Sequence, residues 1–156
     1  MLKRPPKELT QEEALEKLRH FCGWQERSTR QVELKMTRLG LPETWWPVLL
    51  EKLQEEHFLN ETRFSDAFVR GKSRMKGWGP LKIKAALHRE TGGTAPWQPN
   101  PEHLAAGEEK LRKDLLRKKE QLAPKNHPDL ENRLYRFGLS RGFASETVQK
   151  MLRQLV

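Results

Sequence analysis

FLNETRFSDAFVRGKSRMKGWGPLKIKAALHRET, residues Phe58–Thr91, carries two helical apolar patterns parted by Gly77-Trp78-Gly79-Pro80. Phe64, Ala67, Phe68 and Met75 recur at helical spacing after Asn60, which can cap the first helix. Pro80 can open the second helix, with Leu81, Ile83, Ala86 and Leu87 as its apolar positions. Gly92-Gly93 would end it. From Arg63 to Gly92 there are eight basic side chains (Arg63, Arg70, Lys72, Arg74, Lys76, Lys82, Lys84, Arg89) against two acidic ones (Asp66, Glu90). A helix–turn–helix unit with that much uncompensated charge reads as a surface for a polyanion or an acidic partner rather than a catalytic pocket.

Outward from this unit the chain continues as helix. Thr10 with Glu13, and Ser28 with Gln31, have capping-box spacing. Ala14, Leu15, Leu18, Phe21 and Cys22 form the stripe of a first helix; Val32, Met36 and Leu39 that of a second, closed by Gly40. Pro42 is expected in the first turn of a third helix, whose buried face holds Trp45, Trp46, Leu49, Leu50 and Leu53. Thr94–Pro101, TAPWQPNP, reads as a proline-rich linker that Trp97 could pin down. A long charged helix follows over about 102–122, with a bend expected at Gly107. Two more are expected at about 129–139 and 145–155. No period-2 strand pattern stands out.

The 156 residues are 35% apolar and 33% charged, which implies a thin, extended core. Net charge is +9, unevenly placed: residues 1–62 carry 10 basic and 11 acidic side chains, residues 63–156 carry 20 and 10. The excess of cations in the later part favours nucleic acid or an acidic protein as partner. Cys22 is the single cysteine, so no intrachain disulfide forms, which suits a reducing cytoplasm. MLKRPPKEL lacks the apolar segment of a signal peptide, and no membrane-spanning run is present, so no membrane is expected as partner.

The apolar pattern repeats. Val32, Met36, Gly40, Trp46, Leu49, Leu50 and Leu53 are matched at the same offsets by Leu134, Gly138, Gly142, Val148, Met151, Leu152 and Leu155. Ile83 and Leu87 begin a partial third copy, with Gly92 one position late. The implied unit is three helices: a leading helix, a short second helix ending in glycine, and a third packing back. One unit has too small a core to stand alone, so neighbours must stack. The fold expected is all-α: three tandem three-helix repeats in an elongated, curved, solenoid-like array. The repeats are placed at residues 1–58, 59–107 (including the proline-rich 94–101) and 108–156.

The ordered motifs resemble the RecX regulatory proteins of bacteria. They run Phe58-Leu59, Asn60-Glu61, Arg63-Phe64, Ala67-Phe68-Val69, the basic stretch Arg70 to Lys76, Gly77-Trp78-Gly79-Pro80, and Ile83 with Leu87. The first copy fits through Ala14-Leu15, Leu18, Arg27-Ser28, Glu33-Leu34 and Lys35-Met36. The last fits through Leu134, Arg141-Gly142-Phe143 and Val148. The family pattern has two aspartates where this chain has Asn60-Glu61, and no third helix is visible in the middle copy. The resemblance implies a regulator that binds RecA recombinase filaments on single-stranded DNA and suppresses their ATP hydrolysis, strand exchange and co-protease activity. It implies no enzyme and no cofactor. The chain is read as a monomer, with DNA either touched directly or reached only through the recombinase. The competing reading is a general nucleic-acid-binding protein built on helix–turn–helix units.

The residues expected to meet the partner are Arg70, Lys72, Arg74, Lys76, Trp78, Lys82, Lys84, Arg89, Lys113, Arg117 and Arg141. Basic residues at every second position from Arg70 to Lys76 would fan around a helix, and of these only Arg70 has an acidic side chain four residues away, Asp66. A second cluster (Lys110, Arg112, Lys113, Arg117, Lys118, Lys119) is interleaved with Glu108, Glu109, Asp114 and Glu120, so part of it should pair internally. Trp78 is either a ring closing the core between two helices or a platform for stacking bases. His20, His57, His88, His103 and His127 follow no metal-ligand spacing, and no GxxxxGK[ST] loop occurs. Cys22 reads as a small core residue, and nothing in the sequence supports catalysis.

Overall fold

The computed structural model describes residues 8–125 and 128–155, and those residues form eight α-helices and no strand. His127 and the start of the N-terminal MLKRPPKEL segment lie outside the described residues. The helices are α1 Gln11–Trp24, α2 Thr29–Arg38, α3 Trp46–Glu55, α4 Glu61–Arg70, α5 Pro80–Thr91, α6 Pro101–Leu122, α7 Leu130–Ser140 and α8 Ser145–Leu155. Their starts follow from local chemistry. The hydroxyls of Thr10 and Ser28 and the side-chain oxygens of Asn60 and Asn100 accept backbone N–H bonds in the first turns of α1, α2, α4 and α6. Ser28 and Gln31 complete a reciprocal capping box. Pro42 differs from expectation. It precedes a 3₁₀ turn, Glu43–Trp45, and α3 opens at Trp46 with Pro47 in its first turn, where a missing N–H costs nothing.

Three small cores are stacked along the chain. The first joins α1, α2 and α3 through Leu15, Leu18, Val32, Met36, Leu49 and Leu53, with Trp45 and Trp46 both half-buried at its edge. The last joins the second half of α6 to α7 and α8 through Leu111, Leu115, Leu134, Phe143, Val148 and Met151. The repeat offsets hold in three dimensions: Gly40 and Gly142 both turn the chain with positive φ (70° and 91°), and the flanking apolar positions are buried or half-buried.

The middle core is the smallest, built on Phe64, Leu87 and Ala95, with Phe68 and Trp97 against it. Thr94–Pro101 is therefore not a free linker. Its Ala95 and Trp97 cover α4 and α5, and the Ser65 hydroxyl donates to the Pro96 carbonyl at 2.7 Å. Proline removes helical N–H donors but leaves carbonyls to accept, so an irregular segment stands where the repeat would place a third helix.

Behind that core, α4 and the turn Gly71–Met75 pack on α6, each side burying positions four residues apart: Ser65, Val69 and Ser73 on one, His103, Gly107 and Leu111 on the other. The small residues let the backbones approach. A Cβ on Gly107 would lie 3.2 Å from the Trp78 carbonyl oxygen and 3.5 Å from the Ser73 Cβ. α6 runs as one helix through Gly107, across the boundary placed between residues 107 and 108. Its first half packs on the middle unit and its second half on the last.

Candidate functional site

α4 runs straight into a π-helical turn, Gly71–Met75, before Gly77 reverses the chain with φ 67°. The wider turn shifts the side-chain register by part of a residue. One consequence corrects the sequence reading: Met75, expected in the apolar face, is 81% exposed. Another concerns the basic run. Lys72 and Lys76, four apart, share a face and both reach Trp78, at 4.8 and 5.6 Å from its ring centroid. Arg74 lies between them in sequence and points elsewhere, its Nε donating to His103 Nδ1 at 2.9 Å. From α5, Lys82 completes the set at 4.4 Å from the same ring. Trp78 is half-buried with three ammoniums around it, each a favourable cation–π neighbour.

The last unit docks onto this turn. Gly79 N–H donates to the Arg141 carbonyl at 2.6 Å and Leu81 N–H to the Gly142 carbonyl at 3.0 Å. The Arg141 guanidinium donates to the Lys76 carbonyl at 2.7 Å, and Lys82 Nζ donates to the Ser140 carbonyl at 3.3 Å. Between the turn, α6 and α7 this leaves a groove of about 550 Å³. Lys76, Lys110, Arg117, Lys118 and Arg141 line it against one carboxylate, Asp114. Asp114 lies 3.9 Å from Lys110, 3.9 Å from Arg117 and 4.0 Å from Arg141, so one largely buried anion is shared among three cations. The groove keeps a strong positive surplus. Phe137 forms a second aromatic wall, with Lys118 4.5 Å and Arg141 4.7 Å from its ring centroid.

Of the residues read from sequence, the structure brings Lys72, Lys76, Trp78, Lys82, Arg117 and Arg141 together. Arg70, Arg74, Lys84, Arg89 and Lys113 stand outside the groove, all exposed. Sequence reasoning missed Lys110, Lys118, Asp114 and Phe137. The signal for Lys110 and Lys118 was present in the second basic cluster. Phe137 could have been found only through the register of α7, where it falls beside the Leu134 and Gly138 stripe rather than on it. Among the described residues no group of three or more His, Cys, Asp or Glu side chains converges to hold a metal. No described helix is long and apolar enough to cross a membrane. Cys22 is buried, and that burial pushes its thiol up to about 11.

Stacked helical triplets joined through glycine turns, with a cationic aromatic groove at one joint, define an all-α repeat protein. Residues 60–90 match the second three-helix domain of RecX. A 70-residue stretch is 29% identical to the regulatory protein RecX of Geobacillus kaustophilus (strain HTA426), and this match spans 45% of the chain and 26% of the relative's length. The fold is similar to the crystal structure of RecX from Lactobacillus salivarius, with TM-score 0.70 at 16% identity over 93% of this chain and 96% of that one. It is similar also to a crystal structure of a regulatory protein RecX, with TM-score 0.72 at 21% identity over 92% and 73%. The chain thus carries a segment similar to the second three-helix domain of RecX within a fold like that of the RecX crystal structures, and its matched stretch spans about a quarter of the length of the curated relative.

Proposed function

We propose that this chain is a regulator that docks along RecA recombinase filaments on single-stranded DNA and holds back their ATPase, strand-exchange and co-protease activities. In this reading the working units are residues 1–58, 59–107 and 108–156, and the protein acts in the cytoplasm as a monomer, without a cofactor or catalysis of its own. The observation that carries it is the groove at the joint of the later units, where five cations face one carboxylate. A filament offers a long, repeating, negatively charged track, and stacked units suit contact with several protomers at once. Inhibition then requires only tighter binding to the inactive filament arrangement than to the active one.

General nucleic-acid binding is the second reading, favoured by Trp78 and Phe137, each flanked by cations as in platforms that bind single strands. One titration separates the two. The protein is added to preformed RecA filaments on single-stranded DNA while ATP turnover is followed, and its affinity for naked DNA is measured at the same salt. The first reading expects turnover to fall at concentrations where naked DNA is barely bound. Loss of turnover only in step with naked-DNA binding favours the second, and unchanged turnover overturns the first.

A further inference from the structure

A second groove, of about 790 Å³, lies between α5 and the irregular segment that follows it, and shares no residue with the cationic groove. Its floor is apolar: Leu87 and Ala95 are buried, and Trp97 lies half-buried beside them. Leu81 forms one wall and is 59% exposed, so the apolar floor continues to the surface as a patch. Its charged rim is of one sign. Lys84 and Arg89 line the groove and no carboxylate does. Neither the Lys84 nor the Arg89 side chain makes an ion pair among the described residues.

The position of the groove follows from the chain. Leu81, Ala85 and His88 fall on one helical face of α5, and Ala95 to Trp97 of the irregular segment lie alongside it. An apolar trough with a cationic rim complements a peptide that has an apolar anchor between carboxylates. Unlike Trp78 and Phe137, Trp97 has no cation over its ring among the described residues, so its face is left for an apolar anchor.

We propose that this groove is a docking site for an acidic protein segment with an aliphatic or aromatic anchor, separate from the cationic groove. Leu81 and Trp97 grip the anchor, and Lys84 and Arg89 meet the flanking carboxylates. The surface adds a protein contact to a molecule whose other groove suits a polyanion, and it stands whether or not that other groove binds nucleic acid.

The test uses the full chain and two synthetic peptides, each with a Phe-Leu pair flanked on both sides by glutamates or by lysines. Titration is followed by the Trp97 indole N–H resonance, assigned through Trp97→Phe. The glutamate peptide is expected to shift that resonance saturably, and the lysine peptide is not. Leu81→Glu and the double change Lys84→Glu with Arg89→Glu should each weaken the peptide about tenfold or more. All three sites are exposed, so folding should survive, and helicity measured by circular dichroism checks this. Binding of a thymidine oligonucleotide should stay within about twofold in the same variants, so failure here is distinct from failure of the cationic groove. No saturation by about 1 mM glutamate peptide, or equal binding of the lysine peptide, overturns the proposal.

Discussion

Gly79 and Gly142 meet backbone to backbone: a Cβ on Gly79 would stand 2.5 Å from the Gly142 carbonyl oxygen, and one on Gly142 would stand 2.2 Å from the Cβ of Lys82. Two turns from different units close on each other here with no room for a side chain, and the cationic groove opens beside them. The site is therefore a product of stacking, absent from either unit alone.

Gly142→Ala should destabilise the chain by about 2–4 kcal/mol, since it adds both a clash and strain at φ 91°. Gly40→Ala, at φ 70° but with open space around the new methyl, should cost only about 1 kcal/mol. Urea unfolding of the two variants measures the difference. Equal costs would show that the joint is loose.

Arg117→Ala with Lys118→Ala should weaken binding to a thymidine oligonucleotide about tenfold at low salt. Each change should also flatten the dependence of log affinity on log salt by about 0.7. Lys113→Ala, on an exposed position of α6 outside the groove, serves as the control. Anisotropy titrations across a salt series read both quantities, and an unchanged slope would place the polyanion elsewhere.

Arg19 grips Glu56 with two bonds of 2.7 and 2.6 Å, tying α1 to the end of α3, and this holds the Glu56 carboxyl below its ordinary range. A carboxyl that loses its proton more readily when folded stabilises the fold above its unfolded pKa. That contribution is lost as pH falls through the folded value. Wild-type stability should therefore drop more steeply than that of Glu56→Gln between about pH 5 and pH 3, as urea midpoints will show. Parallel curves would mean the pair is broken in solution.

Ser73 is fully buried and its hydroxyl has no hydrogen-bond partner among the described residues. Ser73→Ala removes that unmet polar group at nearly constant volume and should raise stability by about 1 kcal/mol. Chemical denaturation tests the sign, and a loss of stability would reveal a partner for the hydroxyl.

Cys22 should resist iodoacetamide in the folded chain at about pH 8, where a thiol pushed up to about 11 is only about one part in a thousand thiolate. Mass spectrometry should find rapid alkylation only after denaturant is added. Quick modification of the native chain would show that α1 opens easily.

Much of the fold was legible because its signals are local. Caps at Thr10, Ser28 and Asn60, and the glycines after α2 and α5, mark helix ends without reference to the rest of the molecule. The repeat was legible because Val32–Leu53 and Leu134–Leu155 bury the same offsets. What stayed hidden depends on partners distant in sequence. Ser65 and Ser73 look like surface residues until α6 is laid over them. The π turn, in which Met75 is exposed and Lys72 and Lys76 both reach Trp78, lies against Gly107 of α6 and leaves no periodic trace in the sequence. Half of the site was readable as charge. Its other half, from Lys110 to Phe137, required knowing that α7 folds back beside the Gly77–Pro80 turn.

α6 is a single rod of 22 residues, about 33 Å long, with one end in the middle unit and the other in the last. A hinge between those units would have to break it, so the distance from Trp78 to the C-terminal surface is set like the marks on a ruler. A target with a regular pitch would be measured by that rod, and an inserted or deleted turn within α6 would put the two ends out of phase with it.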